Sequence, residues 1–296
     1  MTFAAFSGAF LIGFGPAIAV IAITVSRQAF LSLVTLTSTF YWLITLLSIA
    51  FLWRPFIALT SLSDFFLLLL ILSAVACQEL SRQLLCQILN RLEQGLNVIA
   101  TSRQLPPLSP LNTFHLSLAT GLGHGIAHSV FLFLSVSSPA IGPATFYSWR
   151  CPQLPLVLLA AIASAAFLIV HSLGMVLAYD AHKVQLIKGT GPSTGHQSIR
   201  GAQEAQETKP LRDSQPTGEA PTRQETSLAM EWRFSLPSSP QEMCAPALHA
   251  ATAVSMLMGL FTGGCVTAVV LSWLCALASI VVVALLVHAR GDRGVH

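Results

Sequence analysis

The sequence predicts an all-α, polytopic membrane protein with seven transmembrane helices, its N-terminus luminal or extracellular and its C-terminus cytosolic. Three observations carry this reading. Of 296 residues, 54% are hydrophobic and only 9% are charged, against about 25% charged in a soluble domain. The charges leave long stretches bare, and a bare apolar run of about 20 residues is what one helix needs to cross the hydrocarbon layer. The cations also fall on one side. With seven spans and the N-terminus outside, 13 of the 15 Lys and Arg lie in cytosolic segments, and only Arg54 and Arg150 lie outside. That is the positive-inside pattern.

The first span covers Phe3–Val25. No basic stretch precedes it and no clear cleavage site follows it, so a retained helix is expected rather than a signal peptide. The second covers 30–53 and closes at Trp53-Arg54-Pro55. The third covers 61–82, starting near Asp64 and carrying Gln78, Glu79 and Arg82 in its last turns. The fourth and fifth cover 111–136 and 154–179. The sixth (245–263) and seventh (264–287) are separated only by Thr262-Gly263-Gly264. A turn or one bent helix fits there, and the bent helix would put the C-terminal cations outside, against the charge bias. One membrane domain results: helices one to five in 1–187, a linker in 188–243, and helices six and seven with a short tail in 244–296. The linker is rich in Gly, Pro, Ser, Thr, Gln and Glu, a composition too polar to build a core, and is expected to be cytosolic and disordered.

Polar groups inside a span are costly, so each is a candidate for function. His171 falls midway along the fifth span and His249 near the start of the sixth. They either face a polar cavity or are satisfied between helices, and the residues alone fit both. Glu79 and Arg82 lie three apart on one helix face and read as an ordinary interfacial ion pair. Gly121, Gly125 and Ser129 are spaced by four in the fourth span, with Gly123 among them, and this small-residue pattern lets a second helix approach closely. His124 and His128 share a face, but no third ligand is near, so no metal is expected. The six cysteines form no CxxC, and buried free thiols are the expectation. Asn90, Asn97 and Asn112 lack the hydroxyl of a glycosylation acceptor. No aspartate lies in the middle of a span, and the zinc-protease, nucleophile-elbow and phosphate-loop motifs are missing. No catalytic residue, cofactor or nucleic-acid partner is expected. A small-molecule transporter or channel that uses the intramembrane histidines is the alternative function, although no internal repeat speaks for it.

Several segments together resemble a known family. They are Gly13-Phe14-Gly15-Pro16-Ala17, the run 40–47, Gln78-Glu79 before Arg82, Gly121-Leu122-Gly123-His124-Gly125 with Ser129, Gly142-Pro143, Cys151-Pro152-Gln153, His171 and His249. In this order they resemble the anterior-pharynx-defective (Aph) family, the seven-span scaffold subunit of γ-secretase. The resemblance implies a non-catalytic subunit that assembles with nicastrin, presenilin and the presenilin-enhancer (Pen) subunit. Presenilin supplies the aspartates that cleave type I membrane proteins of the Notch and amyloid-precursor type. It implies residence in the endoplasmic reticulum, Golgi and plasma membrane or endosomes. It assigns helix packing and assembly to Gly121, Gly125 and Ser129, and a presenilin-holding polar cavity to His171 and His249. Two departures stand out: Ser129 occupies a position where glycine is expected, and the loop before the sixth span is long for the family.

Overall fold

The computed structural model describes residues 2–59, 63–106, 108–137, 146–148, 151–189 and 240–291. Among them are seven helices long and apolar enough to cross a membrane. These are α1 (Phe3–Val20, ending in a π-helical turn Ile21–Val25), α2 (Ala29–Leu59), α3 (Asp64–Ser102), α4 (Pro110–Ser137), α5 (Leu156–Gly189), α6 (Pro240–Ser255, continued by a 3-10 turn Met256–Leu260) and α7 (Gly264–Gly291). A two-stranded antiparallel hairpin, β1 (Tyr147–Ser148) with β2 (Cys151–Pro155), sits ahead of α5. Residues 1–182 and 237–296 form one unit.

Local chemistry sets the helix ends. Thr2 and Ser63 accept from the amides of Ala5 and Phe66, each at 3.3 Å, and so cap α1 and α3. Ser109 accepts from the Asn112 amide at 3.2 Å, and Pro110 opens α4, where its missing N–H costs nothing. Gln104 takes a left-handed φ of 56°, and the Leu105 amide turns back to the Ala100 carbonyl at 2.8 Å, which stops α3. Between the sixth and seventh helices the structure has a turn and not a bend. Gly263 carries φ 77°, and a Cβ on Gly264 would lie 2.8 Å from the Met258 carbonyl carbon. One glycine supplies the backbone angle and the other the close approach.

Three elements differ from the sequence expectation. α2 continues through Pro55 to Leu59. α5 continues ten residues past Tyr179, because Asp180 is buried against Arg290 instead of facing water. The largest difference is α3, which runs 39 residues, about 58 Å at the usual helical rise. Hydropathy ended it at Arg82, yet Leu85, Cys86, Leu89 and Glu93 bury one face of its continuation. The segment expected as a linker lies largely outside the described residues; 188–189 end α5 and 240–243 begin α6.

α5 is the most buried helix and α4 follows it. The main cluster of buried side chains includes Leu116, Ala119 and Leu122 of α4 with Leu168, Met175 and Leu177 of α5. Large apolar residues such as Leu36, Phe40, Leu69, Leu274 and Leu285 point outward from α2, α3 and α7, as a lipid-facing surface requires.

Candidate functional site

The glycine ladder is used inside the chain. On Gly121 a Cβ would fall against the Ser172 carbonyl oxygen and 2.8 Å from Met175 Cβ. On Gly125 it would lie 2.6 Å from the Leu168 carbonyl oxygen and 2.8 Å from Ser172 Oγ. Four residues on, Ser129 Oγ donates to the Ser164 carbonyl at 2.8 Å. The three positions thus meet α5 in antiparallel register, and serine serves as the last rung because its hydroxyl has an acceptor. Gly123 does not belong to that face. Two residues along a helix is more than half a turn, so it meets α2 instead, where a Cβ would lie 2.5 Å from the Thr35 carbonyl oxygen. There Thr35 Oγ1 donates to the Ala119 carbonyl at 3.1 Å and Ser38 Oγ to the Thr120 carbonyl at 2.6 Å.

Close packing on both faces of α4 encloses a polar centre. Glu79 and Arg82 do pair, and they do so inside the bundle: the Arg82 side chain is fully buried and Glu79 is 12% exposed. Arg82 Nη1 donates to both Glu79 oxygens, at 2.7 and 3.0 Å. Arg82 Nη2 donates to His171 Nδ1 at 3.1 Å. Arginine is donor only, so His171 Nδ1 accepts and the ring proton sits on Nε2. His249 Nδ1 donates to Glu79 Oε1 at 2.6 Å. Four side chains from α3, α5 and α6 are therefore joined in one chain of charge-assisted hydrogen bonds. Within it a carboxylate and a guanidinium compensate each other, which a buried charge demands.

Residues that sequence reasoning set aside complete the cluster. Trp42 of α2, itself fully buried, places its ring 6.0 Å from Arg82 Cζ. His124 stacks on Trp42 with centroids 4.2 Å apart, and His128 lies 4.3 Å from the His171 ring. His124 and His128 thus face different partners. Gly174 makes room for the arginine, since a Cβ there would lie 3.2 Å from Arg82 Nη1. Trp42 Nε1, Arg82 Nε, His171 Nε2, both His124 nitrogens, His128 Nδ1 and Ser172 Oγ are buried without a hydrogen-bond partner among the described residues. The cluster keeps unused polar capacity, which buried groups seldom do.

A second polar layer was not foreseen. Glu93 of α3, buried, accepts from Thr113 Oγ1 of α4 at 3.1 Å and from the Tyr179 hydroxyl of α5. Beside it Asp180 pairs with Arg290 of α7. The cysteine expectation fails at two positions, because Cys151 and Cys265 form a disulfide while Cys77, Cys86, Cys244 and Cys275 are free.

A family model described as "Aph-1 protein" matches residues 4–189. The chain belongs to the Aph-1 family. It is 40% identical over 182 residues, 62% of this chain and 73% of the relative, to "Gamma-secretase subunit APH1-like" of Arabidopsis thaliana. It is 30% identical over 181 residues, 61% of this chain and 72% of the relative, to "Gamma-secretase subunit Aph-1" of Drosophila melanogaster. The Aph-1 match covers α1 to α5, so the ladder, Glu79, Arg82 and His171 fall inside it. His249 falls beyond it, and its place in the polar cluster rests on the hydrogen bond to Glu79.

Proposed function

We propose that this chain is a non-catalytic scaffold subunit of a γ-secretase-type intramembrane protease, assembling with presenilin, nicastrin and Pen homologues. As such it supports processing of Notch-type and amyloid-precursor-type proteins in the endoplasmic reticulum, Golgi, plasma membrane and endosomes. The observation that carries the reading is the buried chain Arg82–Glu79–His249 and Arg82–His171. It ties α3 and α5 to α6, which lie on either side of the interval 190–239 in the chain. A scaffold needs a fixed shape against which other helices dock, and charged hydrogen bonds in a dry core specify one arrangement of helices. The unused donors beside it suit a polar group brought by presenilin, with His171 and His249 holding the pocket in shape and Gly121, Gly125 and Ser129 holding α4 on α5.

The N-terminus is luminal in this reading. The cation bias supports it, and so does the disulfide: Cys151 precedes α5 and Cys265 opens α7, at the ends assigned to the outside, where oxidising compartments preserve disulfides. An Asn-x-Thr acceptor added at the N-terminus is expected to be glycosylated, and one added at the C-terminus is not; the reverse result overturns the orientation.

The test of the assignment is affinity purification of the tagged chain from native membranes in mild detergent. Recovery of presenilin and nicastrin homologues is expected, with recovery of presenilin falling in His171→Ala/His249→Ala while the chain stays folded. Recovery of the chain alone, monodisperse and able to move a solute in liposomes, overturns the reading in favour of a transporter.

A further inference from the structure

The seventh helix is fastened to α5 and its leading strand at three heights. Cys265 is bonded to Cys151 of β2, with Cα atoms 5.9 Å apart. Mid-span, Trp273 Nε1 donates to the Ile162 carbonyl at 3.3 Å, and Ala276 packs with Ala166 and Val170. At the far end Arg290 pairs with Asp180. α6 hangs from α7 through the tight Gly263-Gly264 turn and carries His249 to Glu79. Two covalent paths therefore lead from α5 to α6. One follows the chain through residues 190–239. The other runs through the disulfide and α7, and avoids that interval.

We propose that Cys151–Cys265 is a covalent clip, formed on the non-cytosolic face, that makes the seating of α6 and α7, and of His249 on Glu79, independent of the chain between α5 and α6. The inference does not depend on the γ-secretase reading. Both cysteines are buried at 2% exposure, so the bond once made is shielded from thiols in solution. Its formation needs an oxidant, and a thiol–disulfide oxidoreductase in its disulfide form supplies one. One cysteine thiolate attacks the enzyme disulfide and releases an enzyme thiolate. The second cysteine thiolate then displaces the enzyme from the mixed disulfide. The chain loses two electrons and two protons, and the oxidoreductase leaves as a dithiol.

The test uses the full chain in intact membranes. Denatured without reductant, it is expected to expose the four free thiols to a maleimide, and six after reduction; six without reduction overturns the bond. A site-specific protease sequence inserted after residue 215 then allows the chain to be cut. On a denaturing gel the cut chain is expected to stay at full size without reductant and to separate into two fragments with it. After extraction in mild detergent, capture of the N-terminal fragment should recover the C-terminal one. In Cys151→Ser, and separately in Cys265→Ser, that recovery should fall by about ten-fold or more. Recovery in both variants equal to that of the cut native chain overturns the clip, even if the bond itself forms.

Discussion

Replacing Gly125 by alanine adds one methyl group, and the structure says where it goes. The new Cβ would lie 2.6 Å from the Leu168 carbonyl oxygen and 3.2 Å from Leu168 Cα, which are backbone atoms of a neighbouring helix. Side-chain motion cannot relieve that contact, so α5 must retreat by about 0.8 Å to reach ordinary van der Waals distance. Overpacking of this kind costs about 1–3 kcal/mol. The retreat also stretches the Ser129–Ser164 bond four residues away, worth about 0.6 kcal/mol in a membrane. The expected loss is about 1.5–3.5 kcal/mol. Gly15→Ala and Gly95→Ala are the controls, since a Cβ at either meets nothing within 4 Å, and each should be neutral or stabilising by up to about 1 kcal/mol. The assay is the denaturation midpoint of the purified chain in mixed micelles. Gly125→Ala within about 0.5 kcal/mol of the native chain would refute the packing argument.

Three further perturbations probe the other contacts by the same assay. Arg82→Met leaves Glu79 buried with His249 as its remaining strong partner and should cost about 3–5 kcal/mol, while Arg82→Met with Glu79→Leu should cost clearly less than the two singles summed. Strict additivity would mean the pair is not coupled. Tyr179→Phe removes one donor from the Glu93 carboxylate and should cost about 1–3 kcal/mol; an unchanged midpoint would show that the second polar layer is not structural. Gly263→Ala forces a side chain into φ 77° and should cost about 1–2 kcal/mol; no change would mean that the turn between α6 and α7 adopts another backbone path.

The sequence exposed most of the bundle because lipid leaves so few options. A run without charges has to be helical and has to span, so the seven elements were legible. The ladder and the two histidines were legible for the same reason, since small or polar residues stand out in apolar surroundings. What stayed hidden depends on pairing. Hydropathy scores Glu79 and Arg82 as two exposed charges, whereas in the core they neutralise each other, so α3 was cut twenty residues short. The spacing of Leu85, Cys86, Leu89 and Glu93 was the signal that the helix continued. Trp42 stood out only within the run 40–47 that carries the family resemblance; taken singly, an aromatic residue in a span looks like any lipid-facing one. The Cys151–Cys265 partnership spans 114 residues, and no local pattern reports on it.

The glycine ladder and the polar centre are one device. A guanidinium is tolerable in a bilayer only where its donors are met and lipid is excluded. Arg82 meets Glu79 on its own helix, but His171 reaches it from α5, and α5 stays in place because α4 offers it glycine. On the opposite side Gly123 lets α2 come close enough for Trp42 to cover the arginine. Bulk at any of the three glycines pushes away a helix that closes the charge. The glycines of α4 thus act on the polar centre without touching it, and packing defects there should resemble loss of His171 more than loss of a surface contact.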